Sequence, residues 1–189
     1  MENRITAFVL AGGKSSRMGR DKGLLEFDGK HLIDHVIEKL LPVVDSVIII
    51  SNQSGYHDLE LPVIEDEIKN IGPAGGIYTA LKYSKTNLNF IAACDMPFIT
   101  TEAIKYIIDQ TEDFEICIPL NQGRIEPLFG VYSKECLPIW EQSVLKGEYK
   151  LQNLMKPFRL KEVNIDNNSL FNQKIFTNLN SENDLRIMK

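Results

Sequence analysis

Long apolar runs are missing from this 189-residue chain. Nothing approaches the ~20 consecutive apolar residues of a membrane span, and Arg4 leads straight into a short strand-like run without a leader pattern. No membrane partner is expected, and the cytoplasm is the expected location. A basic excess is missing too. Lys and Arg number 21 against 26 Asp and Glu, a net charge of −5, which disfavours a nucleic-acid-binding face. Cysteine is scarce. Cys94, Cys117 and Cys136 form no C-x-x-C pair, and the first two sit in apolar runs, as buried thiols of a protein in a reducing compartment do. His31 and His35 are four apart but lack the acidic residue of a metalloprotease helix, and His57 stands alone, so surface or packing roles are expected. No Ser-His-Asp or Cys-His spacing supports a nucleophile. The two common nucleotide loops are absent as well. Five residues, not four, separate Gly13 from Gly19, Arg20 follows in place of Lys, and Gly12-Gly13 lacks the Gly-x-Gly-x-x-Gly spacing. With 43% hydrophobic and 25% charged residues, and no repeat or linker, the chain reads as one globular domain, 1–189.

What is present is concentrated near the start. The apolar run 5–10 passes directly into Leu10-Ala11-Gly12-Gly13-Lys14-Ser15-Ser16-Arg17-Met18-Gly19-Arg20-Asp21-Lys22, with three glycines and four cations within residues 12–22. Glycines let backbone approach a ligand, and their N–H groups can line an anion-binding concavity. Interleaved cations supply the countercharge a polyphosphate requires. In an otherwise acidic protein, such a cluster points to a small anionic ligand.

Apolar, β-branched runs recur at 5–10, 47–50, 61–64, 90–93, 116–119 and 128–132. Between them Leu32, Ile33, Val36, Ile37, Leu40 and Leu41 keep helical spacing, as do Ile77, Ala80, Leu81 and Ser84 behind Pro73. A third helix runs from Thr101, read as its N-cap, through Ile104, Ile107 and Ile108. Alternating strands and helices predict an α/β fold, a doubly wound, mostly parallel sheet of Rossmann-like type. The turn Asn121-Gln122-Gly123-Arg124 predicts a small β excursion in the second half. A helix opening at Ser133 or Lys134 and reaching Lys146, late strands at 161–164 and 174–178, and a closing helix at 181–188 complete the expectation.

On such a sheet, ligands bind beyond the carboxyl ends of the strands. Asp95, ending the buried run 90–94, is placed either to hold a divalent cation or merely to cap the turn before Pro97. Glu65 and Asp66 follow the run 61–64 at another strand end, where with Glu67 they could equally be a solvated acidic set; Ser51 and Asn52 follow 47–50 and suit either hydrogen bonding to a base or ribose or a plain turn. Gly72-Pro73-Ala74-Gly75-Gly76 opens a helix whose N-terminus favours anions.

Leu10-Ala11-Gly12-Gly13, Arg17-Met18-Gly19 and Lys22 resemble the opening motif of sugar-nucleotide-type nucleotidyltransferases, and Asp21-Lys22-Gly23 makes the segment similar to the molybdenum cofactor guanylyltransferases. Asp95-Met96-Pro97-Phe98 resembles that family's metal motif. Gly72, Pro73 and Gly76 match its Gly-Pro-Leu-x-Gly, with Ala74 a departure. Arg124 through Tyr132 resembles its Pro-Leu-x-x-x-Tyr segment, and Asn178 and Asn180 match its closing asparagines, although Ser181-Glu182 replaces Thr-Pro.

The resemblance implies a nucleotide-diphospho-sugar transferase type of fold and transfer of GMP from Mg²⁺-bound GTP to the terminal phosphate of molybdopterin, or of its molybdenum-loaded form. It implies Leu10 and Ala11 among the nucleotide-binding residues, the Gly12-Gly13 backbone with Lys14 and Arg17 around the β- and γ-phosphates, and Lys22 at the α-phosphate. Asp95 would hold Mg²⁺, Asn52, Asp66, Gly72 and Gly76 would face the nucleotide, Arg124 the pterin phosphate, and Asn178 and Asn180 the cleft. Transient contact with molybdenum-insertion proteins or apo-molybdoenzymes would follow. A cytidylyltransferase, a sugar- or polyol-phosphate nucleotidyltransferase and a non-catalytic nucleotide-binding regulator are the rival readings.

Overall fold

The computed structural model describes residues 4–12, 21–172, 174–179 and 184. Strand β1 (Ile5–Leu10) is followed by a 3-10 turn, Lys22–Leu24, and a small hairpin, β2 (Glu26–Phe27) and β3 (Lys30–His31). Then come α1 (Leu32–Leu40), β4 (Ser46–Ile50), a 3-10 segment Ser54–Leu59, β5 (Val63–Ile64), α2 (Pro73–Tyr83), β6 (Leu88–Ala93) and α3 (Thr101–Asp109). The second half adds β7 (Ile116–Asn121), β8 (Arg124–Ile125), β9 (Phe129–Ser133), α4 (Leu137–Leu145), α5 (Leu151–Met155) and β10 (Leu160–Asn164).

The main sheet runs β10-β7-β9-β6-β1-β4-β5, with β8 paired to β7. β1 is parallel to β4 and β6, β4 to β5, and β7 to β10; β9 alone on this path is antiparallel to its neighbours. The chain moves outward from β1 through β4 to β5, then crosses back by α2 to β6 on the other side. The strand order therefore reverses at β1, which opens a crevice at its carboxyl end.

The pleat explains why β1 and β6 are apolar apart from Thr6 and Asn89, whose side chains bond to Ser46 and Thr86 and to Tyr132 O. Ala7, Val9, Phe90 and Ala92 face a core shared with Ile33 and Val36 of α1 and Ile104 and Ile107 of α3. Phe8 and Ile91 face the opposite core, with Ile77 and Leu81 of α2 and Trp140 of α4. Both faces are covered, so no position in these strands can be polar without a buried partner. The doubly wound, mostly parallel fold and its β excursion match the expectation.

Several boundaries differ. The cap of α3 is Thr100, whose hydroxyl accepts from Ala103 N at 3.1 Å, and Thr101 is the first helical residue. The helix expected from residue 133 or 134 is split. Ser133 caps a 3-10 turn, Lys134–Cys136, and α4 begins at Leu137 with Pro138 in its first turn, where a missing N–H costs nothing. Residues 174–178 form no strand. Ile175 N and Thr177 N bond to Asn172 O and Lys174 O at 3.1 and 2.8 Å, and Ile175 and Phe176 are apolar because they pack on the first core, not because they pair in a sheet. The sequence pattern also passes over α5 and the β2–β3 hairpin, each too short to show a period. Of the expected helix at 181–188 only residue 184 is among the described residues, and it is helical.

Candidate active site

The carboxyl ends of four adjacent strands finish level. Ala11 N donates to Ile50 O at 2.8 Å, Cys94 N to Leu10 O at 3.2 Å and Ser51 N to Ile64 O at 2.9 Å. Ala11-Gly12, Asp95, Ser51-Asn52 and Asp66 therefore share one rim at the crevice. Among the described residues a side chain added at Gly12 would meet nothing within 4 Å, so packing against them does not explain this glycine. Leu10 is half-buried and Ala11 fully buried beneath it.

Asp95 is largely buried, and burial pushes its carboxyl above the usual range, with Lys22 opposing. The Lys22 ammonium lies 3.9 Å from Asp95 Oδ2. The two charges thus stand side by side at the mouth of the crevice. The buried carboxylate suits a hard divalent cation, which relieves its desolvation. Among the described residues no three His, Cys, Asp or Glu side chains cluster as a protein-only metal cage. A cation here would complete its shell with ligand oxygens and water, the usual arrangement for Mg²⁺ on phosphates.

The acidic run 65–67 sorts itself out in three dimensions. Glu65 pairs with Lys69 and Glu67 with Lys82, whereas Asp66 turns to Asn52. Asn52 Nδ2 donates to Asp66 Oδ2 at 2.6 Å and Asp66 N donates to Asn52 Oδ1 at 3.1 Å. Burial raises the Asp66 carboxyl; Asn52 and Lys69 oppose. The reciprocal bonds hold one carboxylate in a fixed orientation on the rim.

The glycines at the start of α2 have different jobs. Gly72 takes φ +64° and ψ −152°, a conformation that only glycine adopts without strain. Gly76 is buried, and a Cβ there would come within 2.9 Å of Leu10 Cδ1. Its missing side chain brings α2 down onto the tip of β1, which is a packing role. Arg124 is exposed on the hairpin after β7, whose turn uses Gln122 at φ +48° and Gly123 at φ +75°. Leu128 O accepts from Ala93 N at 3.0 Å, so this segment flanks the tip of β6 two residues from Asp95. Asn178 is exposed, and Leu179 N donates to Asp95 O at 3.1 Å. The tail therefore crosses the crevice at its acidic residue. Gly13, Lys14, Arg17 and Asn180 lie outside the described residues.

Two residues missed by the sequence reading also belong here. Leu179 anchors the tail in a small apolar cluster with Leu25, Phe27, Leu32 and Phe98. Tyr56 donates to Asp21. Neither position carries a motif; both emerge only from contacts between distant segments. A cavity of about 640 Å³ opens at the opposite end of the strands, by Ile5 and Leu88, but Asp109, Glu112, Asp113, Glu115 and Glu135 line it. Such a lining repels a polyphosphate.

The family model for the MobA-like NTP transferase domain matches residues 7–163, from β1 into β10. The chain belongs to this family. Among relatives of the MobA-like chain, a probable molybdenum cofactor guanylyltransferase of Flavobacterium johnsoniae is 37% identical over 96% of this chain and 94% of its own. One of Carboxydothermus hydrogenoformans, described in the same words, is 32% identical over 97% and 94%. The crystal structure of molybdopterin-guanine dinucleotide biosynthesis protein A from Archaeoglobus fulgidus superposes with a TM-score of 0.80 at 25% identity, covering 96% of this chain and 95% of the other. The tail residues Asn178 and Leu179 fall beyond the family-model span, yet the fold returns them to its centre.

Proposed function

We propose that this MobA-like chain transfers GMP from Mg²⁺-bound GTP to the terminal phosphate of molybdopterin or its molybdenum-loaded form. An acceptor phosphate oxygen forms a bond to the α-phosphorus as the bond to the β-phosphate oxygen breaks, so pyrophosphate leaves and a guanine dinucleotide cofactor forms. The observation that carries this reading is the Lys22–Asp95 pair, 3.9 Å apart at the strand-order reversal and level with Gly12, in a chain whose relatives bear the guanylyltransferase name.

A phosphate monoester has its second pKa near ~6, so the acceptor is already mostly dianionic at neutral pH and needs no general base. What remains is positioning and charge neutralisation. The backbone at Gly12 and Gly13, with Lys14 and Arg17, takes the β- and γ-phosphates; Lys22 takes the charge that grows on the α-phosphate. Asp95 is the residue for Mg²⁺, which when bound neutralises phosphate oxygens. Gly72 opens the α2 N-terminus towards the nucleotide. Asp66, oriented by Asn52, offers acceptors to the adjacent N1–H and N2-amino donors of guanine, whereas cytosine presents a ring acceptor there. Arg124 is the candidate for the acceptor phosphate, and Asn178 and Asn180 for the cleft rim beside Asp95. No helix of the described residues is long and apolar enough to cross a membrane. That is in keeping with a cytoplasmic site of action, where transient contact with molybdenum-insertion proteins or apo-molybdoenzymes would pass the product on.

The test is pyrophosphate release from GTP, CTP, UTP and ATP, each with Mg²⁺ and either molybdopterin or a sugar phosphate. GTP with molybdopterin is the expected productive pair. Preference for CTP, or turnover only with the sugar phosphate, would replace this reading with one of its rivals.

A further inference from the structure

Lys22 stands in a three-residue 3-10 turn, next to residues 13–20, and its ammonium is one-third exposed. Such a turn has little stiffness of its own, so something else must hold the lysine beside Asp95. Two glycines reveal what does. A Cβ at Gly23 would lie 2.5 Å from the Tyr56 hydroxyl and 3.1 Å from Cys94 Sγ. Reciprocally, a Cβ at Gly55 would lie 2.6 Å from Leu24 Cδ1. Each segment thus lacks a side chain where the other inserts one, and 22–24 and 54–56 interlock.

At the centre of the interlock, Tyr56 is fully buried and donates its hydroxyl hydrogen to Asp21 Oδ1. That same oxygen accepts from Gly23 N at 3.1 Å, closing the turn that carries Lys22. Burial, with Cys94 and Asp21 adding to it, drives the Tyr56 hydroxyl far above its ordinary pKa, so it stays protonated and remains the donor. Cys94, the other wall around Gly23, directly precedes Asp95. Tyr56 itself lies four residues beyond Asn52 in the chain.

We propose that Tyr56 is a positioning residue for guanylyl transfer, fixing the Lys22 ammonium against Asp95 by way of Asp21 and the Gly23–Gly55 interlock. The proposal rests on the reading that Lys22 acts at the α-phosphate. Tyr56, fully buried, acts in this proposal through the turn that Asp21 closes.

Tyr56→Phe keeps the ring and removes only the hydroxyl. The expected result is a fall in kcat of roughly 10- to 100-fold, with KM for GTP changed less than about twofold, as for a misplaced catalytic group. In a Lys22→Ala background the same substitution is expected to cost nothing further. An equal loss in both backgrounds would overturn the proposal, because a general structural defect adds to the loss of Lys22 and a positioning defect does not. If Tyr56→Phe does not fold, Asp21→Ala breaks the same link from its other end, with the same two outcomes. A readout free of turnover separates this proposal from the assigned reaction. After reductive ¹³C-methylation of the lysines, the Lys22 resonance is identified by its loss in Lys22→Arg. It should move into the envelope of exposed lysines in Tyr56→Phe, and an unmoved resonance sinks the proposal whether or not the chain transfers GMP.

Discussion

At the residue scale, the proposed chemistry rests on Lys22 and on two carboxylates, Asp95 and Asp66, that burial disfavours in their ionised form. Lys22→Ala is expected to lower pyrophosphate release by on the order of a hundredfold or more, the loss seen when a donor to developing phosphate charge is removed. Near-normal turnover would remove Lys22 from the mechanism. Asp95→Asn should abolish Mg²⁺-dependent turnover by a similar factor and, without ligands, raise Tm. The sign follows from the raised carboxyl of Asp95. With its folded pKa above the unfolded one, the folded state holds the proton more tightly. Stability then falls as pH rises from about the ordinary 3.8 through the raised value, and at neutral pH the ionised group is a net cost. Subtracting the variant's stability-versus-pH curve from the parent's in differential scanning calorimetry isolates that window; a parent more stable than Asp95→Asn at neutral pH contradicts it. Asp66→Asn should weaken kcat/KM for GTP by about 10- to 100-fold and cost less with ITP, which lacks the 2-amino donor. Equal losses with both nucleotides would move Asp66 away from that amino group.

At the element scale, the positions that were legible in the sequence are those whose environment is periodic. β1 and β6 show as apolar runs, interrupted only by Thr6 and Asn89, because helices cover both their faces, and α1 and α3 show because each has a single buried stripe. Short elements carry no such period. α5 and the β2–β3 hairpin exist because Leu154, Met155 and Phe27 find apolar neighbours, which a window of five residues cannot announce. Residues 174–178 carry strand-like residues for the same reason and yet form a turn. Trp140 ties α4 to α2. It is fully buried, its indole N–H donates to Ala74 O at 3.2 Å, and its ring stacks on Phe158 at 6.3 Å between centroids. Trp140→Ala should cost about 3–5 kcal/mol in denaturant unfolding, from lost burial, a cavity and the lost indole hydrogen bond. A loss under about 1 kcal/mol would mean that α4 is not anchored this way.

At the scale of the whole molecule, the site is a property of the topology. Its residues come from positions 10 to 179 and meet because the strand order reverses at β1 and the tail returns to Asp95. Ligand binding should therefore stabilise the entire fold. Mg²⁺ with GTP at about 100 times its dissociation constant adds about 2.7 kcal/mol, which for a chain of this size raises Tm by roughly 5–10 °C. CTP, UTP and ATP at equal concentration should raise it less. A thermal-shift series with no preference for GTP would break the link between the Asp66 rim and base selection.

The sequence by itself determined the reaction's raw materials: glycines and cations after a buried strand, carboxylates at strand ends, and apolar periods that specify a doubly wound sheet. Those are local features, set by what a strand tip or a helix face must bury or expose. Only the tertiary structure decided which of Glu65, Asp66 and Glu67 is left for the crevice, why Gly76 serves packing while Gly72 serves the backbone, and that Tyr56 bonds to Asp21 and Leu179 to Asp95. Each of those outcomes depends on a partner tens of residues away in the chain. No local pattern encodes such a partner, because it is chosen by the packing of one complete surface against another.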